Sequence, residues 1–219
     1  MSKQTSAPNS TAPVPPPRTH THAIARWLIR PLVHTAVTPN QLTTLRLLSG
    51  IAAAAAFATG TPSGNLWGGL LFVLSTLLDR ADGELARLSG RCSPGGHRYD
   101  LSCDLASNAI VFLGIGIGVS HGELGSIAIF MGAVAGLSIA AIFLIVFGLH
   151  NHGSNPQEAF GAASRFDLDD GLFLLAPLAW WGYLQPLLVA AAIGAPCFLA
   201  YAMLRYRSMQ TRSATRRDF

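Results

Sequence analysis

The sequence predicts an all-α integral membrane protein, with six transmembrane helices preceded by an N-terminal helix that lies in the membrane interface. Half of the 219 residues are hydrophobic and 12% are charged, against about 25% charged in a typical soluble domain. The apolar stretches are also long enough, since a helix needs about 20 mostly apolar residues to cross a bilayer core. The six predicted spans cover residues 41–60, 65–88, 97–120, 124–149, 170–184 and 186–204.

The remaining residues complete the predicted organisation. Residues 1–22 are rich in proline and contain no apolar run, so we expect a disordered tail. Residues 23–37 carry basic side chains on one helical stripe, which is typical of an amphipathic interfacial helix, here bent at Pro31. The six-helix domain then covers residues 38–205, and a basic cytoplasmic tail covers residues 206–219.

The positions of the basic residues predict the orientation in the membrane. With six spans and a cytoplasmic N-terminus, all 15 Lys and Arg residues fall in cytoplasmic segments or at cytoplasmic helix ends, as the positive-inside rule requires. An odd number of spans would place the C-terminal arginines outside. We therefore expect both termini in the cytoplasm, with a bacterial inner membrane as the location. The basic residues form no nucleic-acid-binding face, so the expected partners include membrane lipids and exclude nucleic acid.

Four aspartates form two acidic stripes in this apolar chain. Asp79 and Asp82 lie three residues apart on the second predicted span, and Asp100 and Asp104 lie four residues apart on the third. Residues at these spacings share one face of a helix. The second span ends and the third begins on the cytoplasmic side, so we expect the four carboxylates to meet at a cytoplasmic mouth. Ionisable groups at membrane depth are costly and usually functional.

Converging carboxylates require a positive partner, and oxygen ligands favour hard divalent cations. We predict that all four aspartates bind two Mg²⁺ or Mn²⁺ ions, an arrangement suited to displacement at phosphorus. Asp104, at the far end of its stripe, is the expected general base toward an attacking hydroxyl. Gly83 and Ala86 share the face of Asp79 and Asp82 and would let a nucleotide approach the backbone. Arg87, on the same face, offers a fork of donors for phosphate.

Two other interpretations remain open on the residues alone. The aspartates could cap helices and pair with nearby arginines, which is an ordinary role for one or two acidic residues at a helix end. The chain could also be a divalent-cation transporter. That hypothesis requires acidic residues deep inside several spans, but outside the motif the predicted spans contain none away from their ends.

The full motif, D-x2-D-G-x2-A-R-x8-G-x3-D-x3-D over residues 79–104, resembles the signature of the CDP-alcohol phosphotransferases. The stretch over residues 38–43, followed by Arg46, is similar to the start of that family's first membrane helix. The resemblance implies a six-helix fold, usually homodimeric, that cleaves the pyrophosphate of a CDP-activated alcohol, releases CMP and forms a phosphodiester. It also implies a CDP site formed by Asn40, Thr43, Gly83, Ala86, Arg87 and Ser93.

The sequence does not determine which CDP-alcohol is the donor or which alcohol is the acceptor. CDP-diacylglycerol is the favoured donor because its acyl chains suit a membrane-embedded site. A glycerol-phosphate or inositol-phosphate acceptor is favoured, with Arg98 and Arg46 as candidate contacts for its phosphate. The alternative is headgroup transfer from CDP-choline or CDP-ethanolamine to a lipid alcohol. An inactive relative serving as a membrane scaffold is disfavoured, because all four aspartates are present.

Overall fold

The computed structural model describes the backbone of residues 20–151 and 168–215, and the side chains of residues 23–145 and 171–205. Every regular element within these ranges is helical. The seven α-helices are α1 (His20–Ile29), α2 (Pro39–Ala58), α3 (Pro62–Ser89), α4 (Pro94–Val119), α5 (Ile127–Asn151), α6 (Leu175–Trp180) and α7 (Leu184–Thr215), and two 3-10 helices cover Arg30–Leu32 and Leu168–Leu174.

Ser or Thr followed by Pro starts three of the long helices. Thr38, Thr61 and Ser93 each accept a hydrogen bond from the backbone N–H three residues later, and proline occupies the first turn, a favourable N-terminal combination. Gln41 completes a capping box with Thr38. Helix α3 stops at Gly90, whose φ of 67° is left-handed. Helix α4 begins at Pro94, so only residues 90–93 connect the two helices.

Helix α2 packs between α3 and α4, α4 also packs on α5, and α5 packs on α7, while α1 and α6 lie against α3. Glycines allow the close approach of α4 and α5. A Cβ at Gly116 would lie 2.6 Å from the backbone oxygen of Ala128, and one at Gly132 would lie 2.5 Å from that of Phe112. Small residues at helix contacts are typical of membrane proteins. This packing places α2 directly against both helices that carry the acidic motif.

Four helices in the described ranges are long and apolar enough to cross a membrane: Pro39–Ala58, Pro94–Val119, Ile127–Ile145 and Leu184–Arg205. They coincide with the first, third, fourth and sixth predicted spans, and the chain is an integral membrane protein. Helix α3 coincides with the second but carries charged residues at its end. With 28 residues it is about 42 Å long. It is therefore longer than a hydrocarbon core of about 30 Å, as expected for a helix that extends its acidic end into the headgroup region.

The fifth predicted span, 170–184, is not one continuous α-helix. It comprises the second 3-10 helix, the short α6 and the turn before α7. The guanidinium carbon of Arg80 lies 5.8 Å from the ring centroid of Phe173, and Trp180 Nε1 donates to the backbone oxygen of Leu66 at 3.2 Å. The segment therefore runs along α3. The count of six spans remains a prediction.

Part of each predicted tail is helical. Helix α1 starts at His20, within the segment assigned to the N-terminal tail, and α7 continues through Thr215, within the segment assigned to the C-terminal tail. Residues 1–19, 152–167 and 216–219 lie outside the described residues. Helix α1 ends before Pro31, where the bend was predicted, and buries Ile29 against α3 while Trp27 is 71% exposed. Its location in the membrane interface remains a prediction.

Candidate active site

Three of the four aspartates converge as the sequence predicts. Asp79 and Asp82 of α3 and Asp100 of α4 each offer a carboxylate oxygen, and the three oxygens lie within 4.8 Å of one another. Asp82 is buried, whereas the side chains of Asp79 and Asp100 are 20% and 31% exposed. An all-oxygen set at this separation fits a hard divalent cation such as Mg²⁺ or Mn²⁺. The cluster is thus buried on one side and accessible on the other.

Arg46 of α2 lies among the carboxylates. Its Nη1 is 2.9 Å from Asp79 Oδ1 and 3.1 Å from Asp100 Oδ1, and its Nη2 pairs with Asp104 Oδ1. The arginine is 4% exposed, so the attraction acts with little screening by solvent. Asp104 is therefore held by Arg46 and is not part of the three-carboxylate group. Sequence reasoning assigned Arg46 to the acceptor phosphate and missed its contact with the aspartates.

Thr43 connects α2 to the deepest aspartate. Its Oγ1 donates to Asp82 Oδ2 at 2.6 Å, and both side chains are buried. A buried carboxylate oxygen without a donor would be costly, so this hydrogen bond holds Asp82 in place. The resemblance implies a nucleotide contact for Thr43, and the structure adds the contact with Asp82.

Asn40 and Ser93 meet at Gly96, near the start of α4. Ser93 Oγ accepts from the backbone N–H of Gly96 at 3.0 Å. A Cβ at Gly96 would lie 3.0 Å from Ser93 Oγ and 3.2 Å from Asn40 Oδ1. Asn40 and Ser93 are exposed, so the polar groups of this trio remain accessible. Arg98, also exposed on α4, makes no ion pair in the part of the chain that the structure describes.

Arg87 folds back along α3 toward Gly83. A Cβ at Gly83 would lie 3.4 Å from Arg87 Nη2, while the adjacent Ala86 is half-buried. Glu84, which is 2% exposed, accepts from Arg87 Nη2 at 2.8 Å with one oxygen and from Arg26 Nε at 2.7 Å with the other. Sequence reasoning missed Glu84. Its three-residue spacing from Arg87 was a usable signal, whereas nothing in the sequence indicates the contact with Arg26 of α1.

A narrow cavity of ≈ 20 Å³ adjoins the side chains of Asp79 and Asp104. Buried hydroxyl and amide side chains face it together with apolar groups from α5 and the second 3-10 helix. Its lining residues are Arg46, Phe72, Ser75, Thr76, Asp79, Asp104, Ser107, Asn108, Phe143 and Leu172.

A sequence model described as CDP-alcohol phosphatidyltransferase matches residues 36–204. The chain belongs to this family. It is therefore a membrane transferase of phospholipid biosynthesis that acts on a CDP-activated alcohol, and its three-carboxylate group fits a divalent metal. The family assignment agrees with the predicted signature and disfavours the cation-transporter hypothesis.

Similar proteins include other members of the CDP-alcohol phosphatidyltransferase family. Archaetidylinositol phosphate synthase of Pyrococcus horikoshii is 25% identical over 155 residues, which cover 68% of this chain and 81% of the relative. Two crystal structures of phosphatidylinositol phosphate synthase from Mycobacterium tuberculosis, one with CDP-DAG bound and one in complex with manganese and citrate, match at 22% identity and a TM-score of 0.48. Both matches cover 80% of this chain. They cover 96% of the solved chain with CDP-DAG and 91% of the solved chain with manganese and citrate.

Proposed function

We propose that this protein transfers a phosphatidyl group from CDP-diacylglycerol to a hydroxyl of an inositol-phosphate or glycerol-phosphate acceptor and releases CMP. The observation that carries the proposal is the convergence of Asp79, Asp82 and Asp100 within 4.8 Å, with Arg46 and Asp104 beside them. The apolar helices around the site support a lipid donor. The archaetidylinositol phosphate synthase among the relatives supports an inositol-phosphate acceptor.

The four aspartates are the proposed ligands of two divalent cations, Mg²⁺ or Mn²⁺. When bound, the ions would clamp the pyrophosphate and offset the negative charge of the departing CMP. Thr43 keeps the buried Asp82 oriented through its 2.6 Å hydrogen bond. Arg46 balances the carboxylate charge from the α2 side.

The proposed nucleotide site lies along the exposed side of the cluster. Gly83 and Ala86 leave the backbone of α3 accessible, and Arg87 supplies donors for a phosphate. Asn40 and Ser93, which both approach Gly96, supply polar groups at the start of α4, and Thr43 completes the proposed set.

Asp104 is the proposed general base. Its carboxylate accepts the proton of the acceptor hydroxyl, whose oxygen forms a bond to the phosphorus that carries the diacylglycerol. The bond from that phosphorus to the bridging pyrophosphate oxygen breaks, and CMP leaves with the electron pair. The product is a phosphodiester. Arg98 and Arg46 are the proposed cationic contacts for the phosphate of the acceptor.

We also infer an orientation and an assembly. All Lys and Arg residues fall on one side of a six-span arrangement, which supports cytoplasmic termini and a cytoplasmic active site in a bacterial inner membrane. Cytoplasmic access suits a soluble phosphorylated acceptor. The family resemblance supports a homodimer.

The test is CMP release from CDP-diacylglycerol by the purified protein in lipid nanodiscs with Mg²⁺ or Mn²⁺. Inositol phosphate, glycerol phosphate and serine are offered as separate acceptors, and CDP-choline with diacylglycerol forms a parallel reaction. We expect CMP release and lipid product with a phosphorylated acceptor. Turnover of CDP-choline alone would overturn the assignment of the donor, and turnover with serine alone would overturn the assignment of the acceptor.

A further inference from the structure

Asn108 continues the acidic stripe of α4 toward the middle of the helix. Gly96, Asp100, Asp104 and Asn108 recur every four residues and therefore share one helix face. Asn108 is 6% exposed and lines the narrow cavity that also contacts Asp104. A neutral amide thus lies one helical turn beyond the proposed general base.

The amide of Asn108 makes no hydrogen bond to any residue in the described ranges. Because Asn108 lines the cavity, its amide is available to hydrogen-bond a group that enters the cavity from outside the chain. The cavity volume of ≈ 20 Å³ is enough for about one water-sized group. A single hydroxyl group fits this space.

We propose that Asn108 binds the attacking hydroxyl of the acceptor alcohol, so that this hydroxyl lies between the Asn108 amide and the Asp104 carboxylate. The hydroxyl donates its proton to Asp104 and accepts from the amide N–H of Asn108. Side chains four residues apart on a helix have Cβ atoms about 5–6 Å apart, which leaves room for one oxygen between their polar ends. This inference rests on the proposed function and identifies a further substrate-binding residue of the same site.

The test compares Asn108→Ala and Asn108→Leu with the native protein by CMP release in nanodiscs, varying inositol phosphate or glycerol phosphate and CDP-diacylglycerol separately. Loss of one substrate hydrogen bond predicts a rise of about tenfold in the KM for the acceptor, with the KM for the donor unchanged within about twofold. Thermal unfolding of the metal-free protein is a second readout. Leucine fills the same site without an unpaired polar group, so the melting temperature of Asn108→Leu should equal or exceed the native value.

Asn65→Ala is the matched control. Asn65 Oδ1 is buried without a hydrogen-bond partner among the described residues, and it lies at the end of α3 opposite to the aspartates. This variant should leave both KM values unchanged. An acceptor KM within about twofold of native in both Asn108 variants would overturn the inference, as would a lower melting temperature for Asn108→Leu. The native rate tests the proposed function, and the variant-to-native ratio of acceptor KM tests the role of Asn108.

Discussion

Glu84 is the buried carboxylate whose loss should be most costly to stability. It is 2% exposed and pairs through separate oxygens with Arg26 and Arg87. Glu84→Gln keeps the shape but removes the charge, which leaves two arginines beside a neutral amide. Removing one partner of a buried ion pair costs about 3–5 kcal/mol. For a chain of this size, such a loss corresponds to a fall of roughly 6–20 °C in melting temperature.

Arg26 and Arg87 should contribute unequally to the stability of the protein. The Arg26 side chain is 14% exposed and that of Arg87 is 36% exposed. Solvent screening weakens exposed ion pairs to about 0–1 kcal/mol, so Arg26→Ala should lower the melting temperature more than Arg87→Ala. Arg87→Ala should instead raise the KM for the CDP-alcohol, because Arg87 is the proposed phosphate contact.

The assay is thermal unfolding in a single detergent, followed by intrinsic fluorescence and by size-exclusion chromatography. Glu123→Gln, at an exposed acidic residue outside the helices, is the matched control and should leave the melting temperature unchanged. A melting temperature for Glu84→Gln within about 1 °C of native would refute the reasoning. A larger loss for Arg87→Ala than for Arg26→Ala would refute the argument from exposure.

Three further predictions concern the site and the packing around it. Asp104→Asn should lower the rate of CMP release by about 10²–10⁴-fold, while one Mn²⁺ ion, measured by electron paramagnetic resonance, should still bind at Asp79, Asp82 and Asp100. An undiminished rate would contradict its role as base. Thr43→Val should lower the free energy of unfolding by about 1–3 kcal/mol because Asp82 loses its hydrogen-bond donor. Thr43→Ser keeps the hydroxyl and should therefore have a free energy of unfolding close to the native value. Equal free energies of unfolding for the two variants would contradict the role of this hydrogen bond. Gly116→Ala should lower the melting temperature because the new Cβ would meet a backbone oxygen of α5. Gly194→Ala is the control, since nothing lies within 4 Å of its new Cβ, and it should keep the native melting temperature. Equal melting temperatures for the two variants would refute the close packing of α4 on α5.

Local patterns in the sequence predicted the parts of the site that lie on single helices. The spacing of Asp79, Asp82 and Asp100 correctly indicated two acidic faces that meet, because helical periodicity and the short connection between α3 and α4 determine where those side chains lie. The fifth span was predicted less well, because an apolar stretch does not distinguish an α-helix from a 3-10 helix followed by a short α-helix.

Contacts between distant helices could not be predicted in this way. Arg46 and Thr43 reach the aspartates only because α2 packs between α3 and α4, and no periodicity within α2 determines that packing. The pairing of Arg26 with Glu84 depends similarly on how α1 lies on α3. Asn108 shares the four-residue repeat of the aspartates, but its unpaired amide becomes evident only once the surrounding helices are in place.

The central claim is that the aspartate cluster binds divalent cations required for cleavage of a CDP-alcohol. The most direct test is CMP release from CDP-diacylglycerol by the protein in excess EDTA, followed by addition of Mg²⁺ or Mn²⁺. We expect no release in EDTA, recovery with either cation, and no recovery when Asp79 and Asp100 are both replaced by Asn. CMP release at the native rate in excess EDTA, or full recovery in the double variant, would contradict the account.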